Sequence, residues 1–218
     1  MPPRRHTAER QVFSRIARRY DRVNRILSLG RDDDWRRRAI AHLPDGVVVD
    51  LGAGTGAANP DFGDRTIIAV DPAPEMLSLN PALRRVVGKG ECLPLADGSV
   101  DGVFSAYVFR NLDSIARTLD EIARVLRPGG VAAIVDLGRP ESRWKRTLHR
   151  IGSAIVLPVV GFFVGGFSEY RYLHRSLDSL PQPQDIYADA PLNVEKIWRM
   201  GPFGFVYGVV LKKPPASS

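Results

Sequence analysis

A chain of 218 residues with 44% apolar and 25% charged side chains is long enough for one domain with a sizeable core and barely long enough for two. Its single cysteine, Cys92, excludes an intramolecular disulfide and any metal cluster built on cysteines. The formal charge of +7 is concentrated upstream, where residues 1–40 set twelve arginines against five acids. Such a face suits nucleic acid or an anionic membrane, or is simply a solvated helix surface.

In chain order, residues 7–29 space Val12, Phe13, Ile16, Tyr20, Val23, Ile26, Leu27 and Leu29 by threes and fours. That spacing predicts one amphipathic helix, or two short ones, with arginines on the other face. The segment lacks the apolar stretch of a secretory signal, so a cytoplasmic location is expected. Gly30 breaks the pattern, and Asp34 is expected to cap a helix over 35–42. Residues 1–43 are thus expected as a helical cover on a domain spanning 44–218.

Val47-Val48-Val49, ending at Asp50, and Ile67-Ile68-Ala69-Val70, ending at Asp71, read as buried strands, with a helix over Pro72–Leu79 after the second. Val100 to Ala106 predicts a third strand and Ser114 to Leu126 a helix, stopped by Arg127-Pro128-Gly129-Gly130. Val131 to Val135, ending at Asp136, reads as another strand. Phe205 to Leu211 reads as a last one, antiparallel. Uncharged strands alternating with helices predict an α/β fold with a mainly parallel sheet covered on both faces. Only ten residues separate Gly56 from Ile67, among them Pro60 and Gly63, so the helix of that crossover is expected to be a single turn or absent. Residues 151–167 carry no charge, and Pro158 with several glycines makes them a poor helix. They are expected as a buried wall or, over 151–175, a lid for an apolar substrate.

The strongest chemical signal is Asp50-Leu51-Gly52-Ala53-Gly54-Thr55-Gly56. Glycines after a strand let the backbone turn sharply and approach a ligand with no Cβ in the way. The spacing is Gly-x-Gly-x-Gly rather than the Gly-x-Gly-x-x-Gly of dinucleotide sites, and the helix expected to receive a pyrophosphate is stunted. A nucleoside cofactor without phosphates, S-adenosylmethionine, suits the loop better. Asp71, at the end of the second strand, is placed to accept both ribose hydroxyls; the alternative is an N-cap for the Pro72–Leu79 helix.

Further motifs carry a resemblance. Tyr20-Asp21-Arg22-Val23-Asn24-Arg25-Ile26-Leu27-Ser28-Leu29-Gly30, followed by Trp35 and Arg36, resembles the N-terminal signature of the UbiE/MenG-type quinone-biosynthesis C-methyltransferases. Glu91-Cys92-Leu93-Pro94-Leu95, Phe109-Arg110-Asn111, Arg124 to Gly130 and Tyr170-Arg171-Tyr172-Leu173 resemble later family motifs in the same order, from about residue 12 to 180. The resemblance implies a Rossmann-like class I methyltransferase with a seven-stranded sheet. It implies S-adenosylmethionine as cofactor, no metal, and a polyprenyl quinol methylated on a ring carbon, most simply demethylmenaquinol. Two alternatives stay open: a methyltransferase of another lipidic or small-molecule acceptor, and a non-catalytic binding protein of the same fold.

Carried over by position, the cofactor residues are Asp50, Gly52, Gly54, Thr55, Gly56, Asp71, Lys89, Gly90, Glu91 and Ala106. Arg110 and Asn111 take the catalytic positions, and Tyr20, Asn24, Tyr107 and Tyr170 border the acceptor; His174 is an alternative base. Lys89 departs from the pattern, because it stands where an acceptor for the adenine amino group is expected and has only donors. The partners implied are the quinol or another apolar small molecule, a membrane touched peripherally on its inner face, and a second copy of the chain, with nucleic acid disfavoured.

Overall fold

The structure is a computed structural model that describes Ser28 and residues 30–138, 140, 142, 144 and 182–216. The amphipathic stretch before Ser28, the uncharged 151–167 segment, and Tyr20, Asn24, Tyr170 and His174 lie outside the described residues.

Seven strands form one sheet: β1 (Val47–Leu51), β2 (Thr66–Asp71), β3 (Arg84–Val87), β4 (Val100–Ala106), β5 (Leu126–Leu137), β6 (Asn193–Met200) and β7 (Val206–Lys212). Their order is β3-β2-β1-β4-β5-β7-β6. β1 to β5 run parallel, and β7 lies antiparallel between β5 and β6. The β-branched and apolar runs occupy the middle of the sheet, where both faces must be dry. The chain leaves β1 for β2 on one side and returns from β3 to β4 on the other, so the carboxyl ends of β1 and β4 open a crevice at a topological switch point.

Alternation along the strands divides the core into two layers. On one face, Val48, Phe104, Ala133 and Val135 pack with Trp35, Ala39 and Ile40 of helix α1 (Asp32–Ile40). On the other, Val49, Val103, Ala132 and Ile134 pack with Leu119, Ile122 and Val125 of α3 (Ile115–Val125) and with Tyr187 of the short α4 (Pro183–Tyr187). Helices therefore cover both faces. Ser114 caps α3, its hydroxyl accepting from the Arg117 N–H at 3.3 Å.

The crossover after the glycine loop is as short as its sequence predicts: a single 3₁₀ turn, Asn59–Asp61. Phe62 then packs edge-on against Phe104 with ring centres 5.5 Å apart, and Arg37 of α1 meets Asp61 at 3.3 Å.

Two helix boundaries differ from expectation. α1 begins at Asp32 with Arg31 in the N-cap position, so Asp34 is not its cap. Three acids in its first turn and Arg37 and Arg38 in its last align with the helix dipole instead. The helix expected over Pro72–Leu79 shrinks to α2 (Pro74–Leu77), with Pro74 opening it and Ala73 at its N-cap. Asp71 accordingly is not the cap; its carboxylate accepts the Ala73 N–H and holds residues 71–73 in a turn. Strand β3 carries mostly exposed side chains, while β6 is exposed over its first half and buries Trp198 and Met200 in its second.

Candidate functional site

The site is assembled where β1, β2, β4 and β5 end. Gly52 leaves β1 at φ +72°, and Gly54 and Gly56 follow at +51° and +85°, a region that side-chain-bearing residues rarely adopt. Gly52 has a second reason to lack a side chain: a Cβ there would sit 2.2 Å from Val108 Cγ2. The glycine loop and the segment after β4 are thus in direct contact. Ser105 ties the ends of β4 and β1 together just before them, its hydroxyl donating to the Leu51 carbonyl at 3.0 Å.

Asp71 clamps the loop from the side. One carboxylate oxygen accepts the Gly54 N–H at 2.9 Å and the other the Ala73 N–H at 2.8 Å. Each oxygen keeps a second lone pair. Burial raises the Asp71 carboxyl above its ordinary range, and the two backbone donors oppose that rise. Asn80, fully buried, holds the loop from beneath: its amide donates to the Gly54 carbonyl at 3.2 Å and its oxygen accepts from Asn59 and from the Ala82 N–H.

Asp50, the last-but-one residue of β1, is buried, and its Oδ2 has no hydrogen-bond partner among the described residues. Burial, reinforced by the neighbouring Asp71 charge and partly opposed by Arg36, pushes its pKa up to about 7. An unsatisfied carboxylate oxygen behind a glycine cradle is what a cationic ligand group requires. The α-ammonium of S-adenosylmethionine is such a group. Thr55 lies half-buried in the same loop, and Ala106 ends β4 beside Val135.

The loop after β3 is stapled to the start of α3. Lys89 meets Asp113 at 2.8 Å, and Glu91 Oε1 accepts the backbone N–H groups of Asp113 and Ser114 at 2.7 and 3.1 Å. Gly90 lies buried between them, where a Cβ would crowd Thr118 Cγ2 at 2.9 Å. The Asp113 carboxylate therefore stands beside Lys89 in this loop.

After β4 the chain turns at Tyr107, a non-glycine residue at φ +63°, and forms the 3₁₀ turn Phe109–Asn111. Asp136, at the end of β5, organises this turn. It accepts the Phe109 N–H at 2.7 Å and the Leu137 N–H at 2.6 Å, and meets the Arg110 guanidinium at 3.4 Å. Burial raises the Asp136 carboxyl, while Arg110 and the backbone donors pull it down. Arg110 is itself nearly buried, and Asn111 is half-buried beside it. Tyr207, paired with Asp136 across β5 and β7, carries the polar layer down to Tyr187, their hydroxyls 3.2 Å apart.

The model of the ubiE/COQ5 methyltransferase family matches residues 4–190. The chain belongs to this family. As a ubiE/COQ5 methyltransferase it is 34% identical over 195 residues to the demethylmenaquinone methyltransferase of Thermus thermophilus, covering 81% of this chain and 88% of that one. It is 36% identical over 190 residues to the ubiquinone/menaquinone biosynthesis C-methyltransferase UbiE of Rubrivivax gelatinosus, covering 82% and 75%. Among solved structures, an S-adenosylmethionine-dependent methyltransferase from Thermotoga maritima superposes with a TM-score of 0.66 at 20% identity over 93% of this chain and 99% of that one. That likeness speaks to the fold, the Rossmann-like class I methyltransferase architecture. Within this family S-adenosylmethionine is the cofactor, and the cradle at Asp50–Gly56 fits it.

The described residues bring together most of the positions expected from sequence: Asp50, Gly52, Gly54, Thr55, Gly56, Asp71, Ala106, Tyr107, Arg110 and Asn111 gather at the strand ends. Lys89, Gly90 and Glu91 form a separate loop at the β3 side. Sequence reasoning missed the supporting residues. Asn80 sits in an Asn-Pro dipeptide, a turn signal that marks it. Asp32 lies four residues before Arg36, a spacing that announces an ion pair.

Proposed function

We propose that the chain transfers a methyl group from S-adenosylmethionine to a ring carbon of a polyprenyl quinol, most simply converting demethylmenaquinol to menaquinol. The observation that supports this reading is the contact of Gly52 with Val108, which joins the glycine loop to the segment that carries Arg110 and Asn111. The relatives' names supply the acceptor.

When bound, the cofactor supplies an electrophilic methyl on a sulfonium. The chain does the rest. Asp50 receives the ammonium, the loop from Gly52 to Gly56 lies along the amino-acid and ribose portions, and the spare lone pairs of Asp71 accept the ribose hydroxyls. Lys89, Gly90 and Glu91 flank the adenine, with Asp113 as the acceptor that Lys89 cannot be. Arg110 and Asn111 border the quinol. The ring carbon becomes nucleophilic as the neighbouring hydroxyl loses its proton, so a fixed cation beside that oxygen lowers the barrier. Arg110 is suited to this: Asp136 fixes its position without releasing it to solvent. A guanidinium remains protonated, so the proton leaves through a water that Arg110 and Asn111 orient. Tyr20, Asn24 and Tyr170 complete the acceptor's surroundings in this reading.

The prenyl tail needs an apolar path and about 0.8 kcal/mol of binding per buried methylene rewards one; the uncharged 151–167 segment is its proposed wall. Among the described residues no helix is long and apolar enough to cross a membrane. Contact with the bilayer is proposed as peripheral, through the arginine-rich upstream residues.

The deciding assay offers demethylmenaquinol with methyl-labelled cofactor and follows label into the lipid. Arg110→Ala is expected to cut turnover at least about a hundredfold while cofactor affinity stays within about threefold. Turnover surviving in that variant removes Arg110 from the chemistry. Cofactor binding without transfer to any quinol favours a different acceptor.

A further inference from the structure

Three buried polar atoms share one face of the site and have no hydrogen-bond partner among the described residues: Arg36 Nε, Asp50 Oδ2 and the Tyr107 hydroxyl. Asp50 lies two residues beyond Val48 and so points to the same side of β1. That is the side roofed by α1, where Val48 packs with Trp35 and Ala39 and where Tyr107 joins the same cluster. Arg36 follows Trp35 on α1. Its charge acts on both the Asp50 carboxyl and the Tyr107 phenol, which burial otherwise raises.

The guanidinium is held in a fixed orientation. Asp32 takes one terminal nitrogen at 2.9 Å, Asp33 takes the other, and the Ser28 hydroxyl donates to Asp32 at 2.7 Å. Each terminal nitrogen thus has a carboxylate partner, and Nε–H is buried with none among the described residues. Tyr107 is fixed too, at a backbone conformation that costs a side-chain-bearing residue strain, pinned by its N–H to the Val135 carbonyl at 2.8 Å. Buried polar groups are ordinarily satisfied, and these three are not.

Their chemistry is complementary to an α-amino acid. An anionic acceptor meets an ammonium, while a cationic N–H and a phenolic O–H together meet a carboxylate. Of the cofactor's parts only the methionine end carries both charges. We infer that Arg36 and Tyr107 form the carboxylate half of an amino-acid subsite whose ammonium half is Asp50, so that helix α1, which precedes the sheet, reads the methionine end of the cofactor. This rests on the S-adenosylmethionine reading. It moves Tyr107 from the acceptor's side, where the sequence pattern sets it, to the cofactor's.

Calorimetry with three probes tests it: S-adenosylmethionine, its decarboxylated analogue, and 5′-methylthioadenosine, which lacks the amino-acid end. The wild-type chain is expected to prefer the first over the second by about thirtyfold, the size of one or two charge-assisted hydrogen bonds. Tyr107→Phe and Arg36→Gln are expected to bring that ratio within about threefold by weakening the intact cofactor alone, with 5′-methylthioadenosine affinity unchanged within about twofold. Tyr107→Phe deletes one oxygen and leaves the ion pairs of Arg36 intact, so it decides the matter if the Arg36 variant fails to fold. A wild-type ratio near one, or a ratio untouched by Tyr107→Phe, overturns the subsite while leaving the cofactor reading in place. A wild-type chain that binds none of the three probes overturns both.

Discussion

Asp50 is a carboxylic acid whose surroundings favour its proton until a cation arrives. Burial and the Asp71 charge set its folded pKa near 7 against an ordinary value of 3.8. The folded state therefore holds more protons than the unfolded chain between about pH 4 and pH 7. Without ligand, this group's contribution to stability is full below about pH 4, falls as pH rises through that window, and is flat above it. Ligand binding runs the opposite way. An ammonium needs the carboxylate, so cofactor affinity is expected to rise with pH up to about 7, and binding at pH 6 to release a proton. Calorimetry at pH 6 in two buffers of different ionisation enthalpy measures that proton. Asp50→Asn is expected to abolish the release and weaken binding by about tenfold to a hundredfold, and an unchanged release in that variant would remove Asp50 from contact with the cofactor. Gly52 makes a simpler case. Gly52→Ala forces a Cβ into Val108 at 2.2 Å from a backbone already at φ +72°, so the loop or the Val108–Asn111 segment must move. Loss of cofactor binding and of methyl transfer together is the expected result, because the two halves of the site share that contact.

At the scale of elements, the glycine loop stands on supports that carry no catalytic chemistry. Asn80 satisfies groups from the loop, the 3₁₀ turn and the start of the β3 approach at once. Asn80→Ala is expected to lower stability by about 1–3 kcal/mol, read as a fall in melting temperature, and to weaken cofactor binding without altering the pH profile. The central elements are legible in the sequence because burial and pattern coincide in them. Val47–Val49, Ile67–Val70 and Val100–Ala106 form strands on apolar, β-branched runs, and Ser114 caps α3; the Arg127–Gly130 segment read as a break is instead taken into β5, which begins at Leu126 directly after the helix. β3 and β6 are not legible, because they are edge strands: β3 exposes Arg84 and Arg85, and β6 exposes its first four residues and leaves only Trp198 and Met200 as a buried alternating pair, too short a period to detect. The site divides in the same way. Glycines and strand-end acids announce themselves, since few other roles need that spacing. Asp136 matters through partners 26 or more residues away, which local sequence does not record; Arg36 and Asn80 leave only a local trace, an acid four residues earlier and an Asn-Pro dipeptide, while the burial that gives them their roles is set by the fold.

For the whole molecule, the cofactor crevice lies at the middle of the sheet, and its stability is inherited from β1, β4 and β5. Amide exchange is expected to be slowest in those three strands and fastest in β3, a four-residue edge with three exposed residues. Mass-resolved exchange would show this directly, and cofactor is expected to protect the Gly52–Gly56 and Tyr107–Asn111 backbones beyond the strands themselves. The strand order carries a consequence for how the molecule is made. β7 is the last of the described strands to be synthesised, yet it is inserted between β5 and β6 rather than added at a margin. α1, the first of the described helices, rests partly on β7. A nascent chain thus holds α1 without a complete seat and leaves the flank of β5 open until β7 has been made. Its native contacts close late and over long stretches of chain, which slows folding and favours a chaperone's company during synthesis.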